Sequence, residues 1–425
     1  MKNRERVVVT GLGAVTGLGM GWKSLWSGLC NGHSAIRPWR PDGVDDFPVK
    51  YAAPVDMADL AQRYGQAAWW EAPMEKRTRF GLAAALEALA DAGLVPAELP
   101  LRSGIAMGSG VPERDPADMH LALGPNGPDW RLLHQRAAEL NPNSGLLNSN
   151  DHLSMSLAQV LGINGPNLNF STACAGATHA IGHGMRMIRR GECDLMIVGG
   201  ADSVLNLPTM IGLHLLGAPS TAERFGDRLC RPFDRDRSGF VAAEGAGVLI
   251  LEREAHAQRR GAQIYAEIAG FGSGMDAYRI SAPHPEGLGA RLAMQRALRD
   301  ARLDPADVGH INAHGTSTPL NDPAETLAIS TTFANGDHYR RLSVTANKSM
   351  LGHLIAAAGA PECIATVLSV ADGIVPPTLN LENPDPSCYL DYVPGSARRQ
   401  ALRAALSNSF GFGGLNAVIA VKAYD

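Results

Sequence analysis

The sequence predicts an α/β protein built from two similar halves, and two internal echoes carry that expectation. ALADAGLVPAEL at 88–99 and ALRDARLDPADV at 297–308 align without a gap, identical at seven of twelve positions. VTGLG at 9–13 is echoed by IAGFG at 268–272. Around both copies the pattern runs strand, helix, strand, which divides the chain at about 1–255 and 256–425, each half a sheet covered by helices. At 425 residues, 45% hydrophobic and with mean hydropathy −0.07, the chain is long and apolar enough to bury a large core.

Taken in order, the start MKNRERVVVTG is charged and then strand-like, with no secretory signal pattern. Trp69 and Trp70 form an aromatic pair that either packs beneath a loop or meets a partner, and 111–130 reads as a loop-rich excursion over a dimer interface or tunnel. LNFSTACAGATHAIG at 168–182 places Cys174 where an apolar run gives way to small residues and then to a helical pattern. A thiol at a strand-to-helix turn sits against unpaired N–H groups, which lower its pKa and can hold an oxyanion. Ala173, Ala175, Gly176 and Ala177 leave room for a carbonyl to approach.

The second half supplies polar residues in loops of the same kind. His314 follows a short apolar stretch in INAHGTSTPLND (311–322), and Lys348 and His353 flank another strand-to-helix turn in SVTANKSMLGHLIAAAGA (343–360). SNSFGFGGLNAVIAV (407–421) is a glycine-rich loop carrying Phe410 and Phe412 ahead of an apolar strand.

Composition excludes several classes. A net charge of −4 and a pI near 6.4 give no footprint for nucleic acid, and no apolar run is expected to reach the roughly 18 residues of a membrane span. The six cysteines, at 30, 174, 193, 230, 363 and 388, contain no C-x-x-C pair, which points to a reducing, cytoplasmic setting. Cys30 with His33, and the loose group His120, His134 and His152, lack a second ligand pair at zinc spacing, so no metal is expected.

Together these motifs resemble the β-ketoacyl-acyl-carrier-protein synthases of the thiolase superfamily, the synthase II type and its polyketide relatives above all. The resemblance runs from VVVTGLGAVTGLG (7–19) through GPNLNFSTACAG (165–176), RPFDRDRSGFVAAEGAG (231–247), NAHGTSTPLND, NKSMLGH and GIVPPTLNLENPDP (373–386) to NSFGFGG (408–414). It implies a duplicated five-layered αβαβα sandwich with the site where the halves meet, and with Asn347-Lys348 in the turn corresponding to that of Cys174. It implies Cys174 as the acyl-accepting nucleophile, and His314 and His353 as the two active-site histidines. Lys348 matches the active-site lysine, with Glu362 as its acidic partner. Thr316 and Thr318 match the threonines that touch the phosphopantetheine arm, and Phe412, beside Phe410, matches the gating residue whose N–H completes an oxyanion hole. Val111 matches a position at the end of the acyl pocket.

Two histidines with one cysteine imply a decarboxylating, elongating enzyme, because thiolases use a second cysteine and starter-type synthases a Cys-His-Asn set. Retention of Cys174 sets the chain apart from non-catalytic chain-length factors. The implied activity is condensation of an acyl chain with malonyl-acyl-carrier protein in fatty-acid-like elongation. The alternative is the ketosynthase subunit of a type II polyketide or aryl-polyene system, and a non-condensing scaffold or decarboxylase-only protein is the remaining class. The implied partners are an acyl carrier protein and either a second copy or a chain-length-factor paralogue. No cofactor is implied beyond the carrier's phosphopantetheine. Departures fall at Pro112 and Glu113, where the family usually has Gly-Gly, at Leu415, where threonine is common, and at Ala242-Ala243 before Glu244; they are expected around the acyl pocket and gate.

Overall fold

The computed structural model describes the chain except residues 1–3, 42, 111, 113–115 and 126. The first half contributes β1 (Val7–Thr16), α1 (Lys76–Asp91), β2 (Ser103–Gly108), β3 (Asn167–Phe170), α2 (Gly176–Arg189), β4 (Leu195–Asp202), α3 (Leu207–Leu215) and β5 (Gly245–Arg253). The second contributes β6 (Ala266–Met275), α4 (Leu288–Ala301), β7 (Val308–Asn312), α5 (Asn321–Thr332), β8 (Ser343–Thr345), α6 (Lys348–Leu351), α7 (Gly359–Asp372), β9 (Ala404–Gly411) and β10 (Leu415–Lys422).

The strands run β3-β2-β4-β5-β1-β6-β10-β9-β7-β8, five from each half along this path, with the two-residue strand Gly19–Met20 also paired to β1, and the halves are joined where Val8 and Val9 of β1 face Glu267 and Ala266. Each five has the same pattern. Its edge strands pair in parallel, β3 with β2 with β4 and β8 with β7 with β9, and its inner strands pair antiparallel. Strands buried on both faces need apolar side chains on both, and β1, β2, β4 and almost all of β5 are buried at every residue. Helix α1 covers β1 and β5 from outside, α4 covers β6 and β10, and α2 and α7 lie between the two sheets, giving the αβαβα sandwich.

The echoes seen in the sequence are the same contacts made twice. Both β1 and β6 carry a bulge, between Val9 and Gly11 and between Ile268 and Gly270. A Cβ on Gly11 would lie 2.1 Å from the Ala88 carbonyl oxygen, and one on Gly270 2.5 Å from that of Ala297, so only glycine lets each helix settle on its strand. Beside them the Leu12 N–H donates to Asp91 at 2.9 Å, and the Phe271 N–H to Asp300 at 2.9 Å. The Asp shared by the two repeats therefore ties the end of each outer helix to its own sheet.

Two expectations change, and one left open is narrowed. Residues 355–372, reaching from the turn before α7 to its end, do form an apolar stretch of 18 residues with mean hydropathy 1.3, long enough by composition to cross a membrane. The stretch is 83% buried, because α7 is held between the sheets and needs apolar residues all round. The excursion at 111–130 includes a helix at Pro116–Leu121 and a small hairpin, Leu123–Gly124 with Gly127–Pro128. Trp69 packs beneath the surface against Tyr64 and Trp70, with the Arg79 guanidinium over the Trp70 ring.

Candidate active site

Cys174 lies in a single 3-10 turn, Ala173–Ala175, just before α2, and that turn packs against β9, β10 and the turn Ile355–Ala357. Ala173 holds φ 46°, a left-handed conformation that costs a residue with a Cβ some strain and turns the chain sharply out of β3. The thiol is 4% exposed, at the end of a cavity of about 280 Å³. Its Sγ and one nitrogen from each of His314 and His353 all lie within 4.8 Å of one another. Cys174 comes from the first half and both histidines from the second, so the site is assembled only where the halves meet.

Each imidazole is held by its other nitrogen. His353 Nδ1 accepts the Ile355 N–H at 3.2 Å, which leaves the ring proton on Nε2. Lys348 Nζ lies 3.2 Å from His314 Nδ1, and an ammonium can only donate, so this ring also carries its proton on Nε2. The remaining Lys348 donors go to the His314 carbonyl at 2.6 Å and to Glu362 Oε1 at 2.5 Å. All three N–H groups of a lysine with no exposure are thus committed. Burial drives both histidines well below the ordinary imidazole value, and the Lys348 charge adds to it, so both are neutral N–H donors at neutral pH. Burial raises the Glu362 carboxyl to about 7 against the pull of Lys348.

The thiol departs from expectation. Desolvation pushes Cys174 up to about 11, and the opposing pull of Lys348 and of the Phe412 and Cys174 N–H groups is the smaller effect. A helix terminus does not by itself make a thiolate in so dry a site. The Phe412 and Cys174 N–H groups both favour charge at that sulfur, and N–H groups beside a nucleophile are the donors an acyl oxyanion requires.

Thr316 and Thr318 line the cavity and share a hydrogen bond of 2.9 Å between their hydroxyls, and Phe410 and Phe412 line it as well. Phe410 is buried, whereas Phe412 is 36% exposed. Val111 lies outside the described residues. Of the departures, Ala242-Ala243 grip the second histidine: the His353 N–H donates to the Val241 carbonyl, and its carbonyl accepts from Ala243. Leu415 opens β10 opposite Met275 and is not among the residues lining the cavity, while its neighbours Gly414 and Asn416 are.

Sequence reasoning missed two carboxylates. Glu325 on α5 accepts the N–H groups of His314 and Gly315 at 2.8 Å each and the Asn408 amide at 3.1 Å, fixing the loop that carries His314. Asp202, at the end of β4, accepts the Ala356 N–H at 3.0 Å and anchors the turn after His353 from the opposite half. An acidic residue interrupting a wholly apolar strand end, as in LMIVGGAD, is the signal that marked Asp202.

A duplicated α/β sandwich with a cysteine and two neutral imidazoles at the junction defines an acyl-transferring condensing enzyme. Residues 4–257 match the model of the beta-ketoacyl synthase N-terminal domain and residues 265–382 that of its C-terminal domain. The chain is 40% identical to 3-oxoacyl-[acyl-carrier-protein] synthase 2 of Synechocystis sp., over 99% of each chain, and 38% identical to the enzyme of that name from Vibrio harveyi, again over 99% of each. Among solved structures it resembles a β-ketoacyl synthase from Burkholderia phymatum (TM-score 0.87, 32% identity, 99% of this chain and 100% of that one). It also resembles a type II polyketide acyl-carrier protein complex with its ketosynthase bound to a hexaketide (TM-score 0.87, 32% identity, 100% of both). The chain belongs to the β-ketoacyl synthase family.

Proposed function

We propose that the protein catalyses decarboxylative condensation of an acyl group, carried on Cys174, with malonyl-acyl-carrier protein, giving a β-ketoacyl-acyl-carrier protein in fatty-acid-like chain elongation. The observation that carries this reading is the convergence of one thiol and one ring nitrogen from each of two neutral imidazoles within 4.8 Å. The Cys174 sulfur attacks the incoming thioester carbonyl, the S-acyl bond to Cys174 forms, and the carrier's thiol leaves with the proton. The malonyl thioester then enters, its C–CO₂ bond breaks, and the electron pair passes into an enolate. His314 and His353 donate to the thioester oxygen where that charge develops, an electrostatic contribution of about 3 kcal/mol per donor. The enolate carbon attacks the acyl-Cys174 carbonyl, whose oxygen is held by the Cys174 and Phe412 N–H groups, and the Cys174 sulfur departs.

Lys348 acts by orientation, because its three donors are spent on His314 and Glu362. Thr316 and Thr318 receive the phosphopantetheine arm, Phe412 gates the cavity with Phe410 beneath it, and Val111 is assigned to the acyl pocket from the resemblance. The nucleophile belongs to residues 1–255, and the histidines, Lys348 and gating loop to 256–425. The partners are an acyl carrier protein and a second copy of the chain or a chain-length-factor paralogue, in the cytoplasm, with no cofactor beyond the carrier's arm. The type II polyketide reading rests on the likeness to the hexaketide-bound ketosynthase and to the ishigamide ketosynthase/chain length factor (TM-score 0.85, 31% identity). Mass spectrometry after incubation with a panel of acyl-carrier-protein thioesters separates the two. Acylation of Cys174 by saturated chains supports elongation, preference for polyene or polyketide chains supports the alternative, and acylation elsewhere contradicts both.

A further inference from the structure

The mechanism so far leaves one buried cation unused. Arg77, the second residue of α1, is 1% exposed and lies outside the lining of the cavity. Its Nε donates to Glu75 at 2.6 Å, and its two terminal nitrogens donate to the carbonyls of Gly110 at 2.7 Å and Ser149 at 3.0 Å. Those carbonyls mark the two ends of the excursion that leaves the sheet after β2 and returns ahead of the helix His152–Leu161. Burying a guanidinium and a carboxylate together costs desolvation that apolar residues of similar size would avoid, often with no loss of stability. What the guanidinium holds in place is the better reason for it.

Gly110 lies directly against the buried Asp202. A Cβ built on it would fall 2.5 Å from Asp202 Oδ2 and 2.9 Å from Oδ1, so only glycine admits the carboxylate there. Oδ2 is the atom that accepts the Ala356 N–H at 3.0 Å, and the adjoining Ile355 N–H donates to His353 Nδ1 at 3.2 Å. Burial pushes the Asp202 carboxyl up to about 6, and the Ala356 N–H, the Arg77 charge and the Ser203 N–H draw it back down. The contacts are thus continuous from the guanidinium to the imidazole, through Gly110, Asp202 and the strained turn.

We propose that Arg77 is a positioning residue for decarboxylation, holding Gly110, and through it the Asp202 carboxylate, where the turn Ile355–Ala357 aims His353. The proposal rests on the condensing reading. A donor aimed at a developing enolate must be held to within a fraction of an ångström, and groups behind the reacting side chains supply that precision. Arg77 does so from the outer helix of the half that does not carry the histidine. S-acylation of Cys174 does not pass through this chain of contacts, so the two half-reactions should respond differently to its loss.

The test follows S-acylation of Cys174 by mass spectrometry and carbon dioxide release from malonyl-acyl-carrier protein in Arg77→Gln, in Gly110→Ala, and in Arg77→Gln combined with Asp202→Ala. Arg77→Gln is expected to lower kcat for carbon dioxide release about tenfold, the order of one buried hydrogen bond to a charged group, with KM and the rate of acylation near the parent's. Gly110→Ala displaces the Asp202 carboxylate while leaving every buried charge in place, and it should produce the same split. It decides the matter if Arg77→Gln does not fold. The double variant should lose no more than Asp202→Ala alone, because both changes break one chain of contacts. Carbon dioxide release at the parental rate in folded Arg77→Gln or in Gly110→Ala would overturn the proposal. So would an equal fall in both half-reactions, which would make Arg77 a support of the fold alone, or losses that multiply to about a hundredfold in the double variant. Inactivity of the parent protein in both half-reactions would instead overturn the condensing reading, and this proposal with it.

Discussion

The turn that holds Cys174 exists twice. In the first half it is Ala173–Ala175, in the second Ile355–Ala357, each a single 3-10 turn just ahead of a central helix. Ala173 and Ile355 open them at φ 46° and 47°, and Ala175 and Ala357 close them by donating to Thr172 and Leu354. Cys174 therefore corresponds to Ala356, which corrects the expectation that Asn347-Lys348 fills the matching place. The two turns pack against each other, but only one is equipped for chemistry. The N–H of Cys174 faces its own sulfur, while the N–H of Ala356 is taken by the Asp202 carboxylate. Duplication supplies a strained turn with an inward N–H in each half. What distinguishes a nucleophile from a structural joint is the side chain and whether that N–H is left free.

Exchanging the two turns' equipment should have the largest effect. Cys174→Ala is expected to abolish acyl transfer with a melting temperature close to the parent's, since alanine fits the same small site. Adding Ala356→Cys to it should restore nothing, because that turn's N–H is occupied and a carboxylate lies beside it. An acyl adduct at position 356 by mass spectrometry would break the comparison. His314→Ala and His353→Ala come next: carbon dioxide release from malonyl-acyl-carrier protein should fall by about 10²–10³ in each. Cys174 should still be acylated, and decarboxylation at the parental rate in either variant would remove that histidine from the mechanism.

How much of this was legible beforehand differs between the halves. The repeat at 88–99 and 297–308 pointed to the duplicated fold because an outer helix must end against its sheet in the same way twice, at Asp91 and at Asp300. Cys174, His314, Lys348, His353 and Glu362 stood out as polar groups in apolar or small-residue settings. The second turn was invisible because Ile355, Ala356 and Ala357 carry no polar side chain; its identity lies in backbone angles. The thiol's environment was misjudged for a related reason. A strand-to-helix turn signals N–H groups, but the depth of burial that outweighs them comes from both halves closing over the site.

Asp202 sharpens the comparison at a smaller scale. Asp202→Ala should free the Ala356 N–H and loosen the turn that aims His353, slowing decarboxylation by about tenfold, the order of one buried hydrogen bond to a charged group. Asp202→Asn keeps an acceptor and should recover most of that rate, whereas equal loss in both would assign the effect to charge. The smallest perturbation is pH. With the thiol near 11, alkylation of Cys174 by iodoacetamide should rise about tenfold per unit from pH 7 to 9, as the thiolate fraction does. The imidazoles should contribute no loss of decarboxylation as pH falls past 6.5, the ordinary histidine value, since both titrate well below it. A loss between about 6 and 7 is expected only from the carboxyls that support them, Glu362 near 7 and Asp202 near 6, and one that persists in Glu362→Gln and Asp202→Asn would mean that an imidazole is solvated.

The most direct measurement is intact-protein and peptide mass spectrometry of the parent protein after a brief exposure to acyl-acyl-carrier protein, followed by malonyl-acyl-carrier protein. The account predicts an acyl group on the peptide containing Cys174, its disappearance when the malonyl substrate is added, and a β-ketoacyl group two carbons longer on the carrier. An acyl group that stays on Cys174 while malonyl-acyl-carrier protein is consumed, or that sits on any other residue, would contradict it.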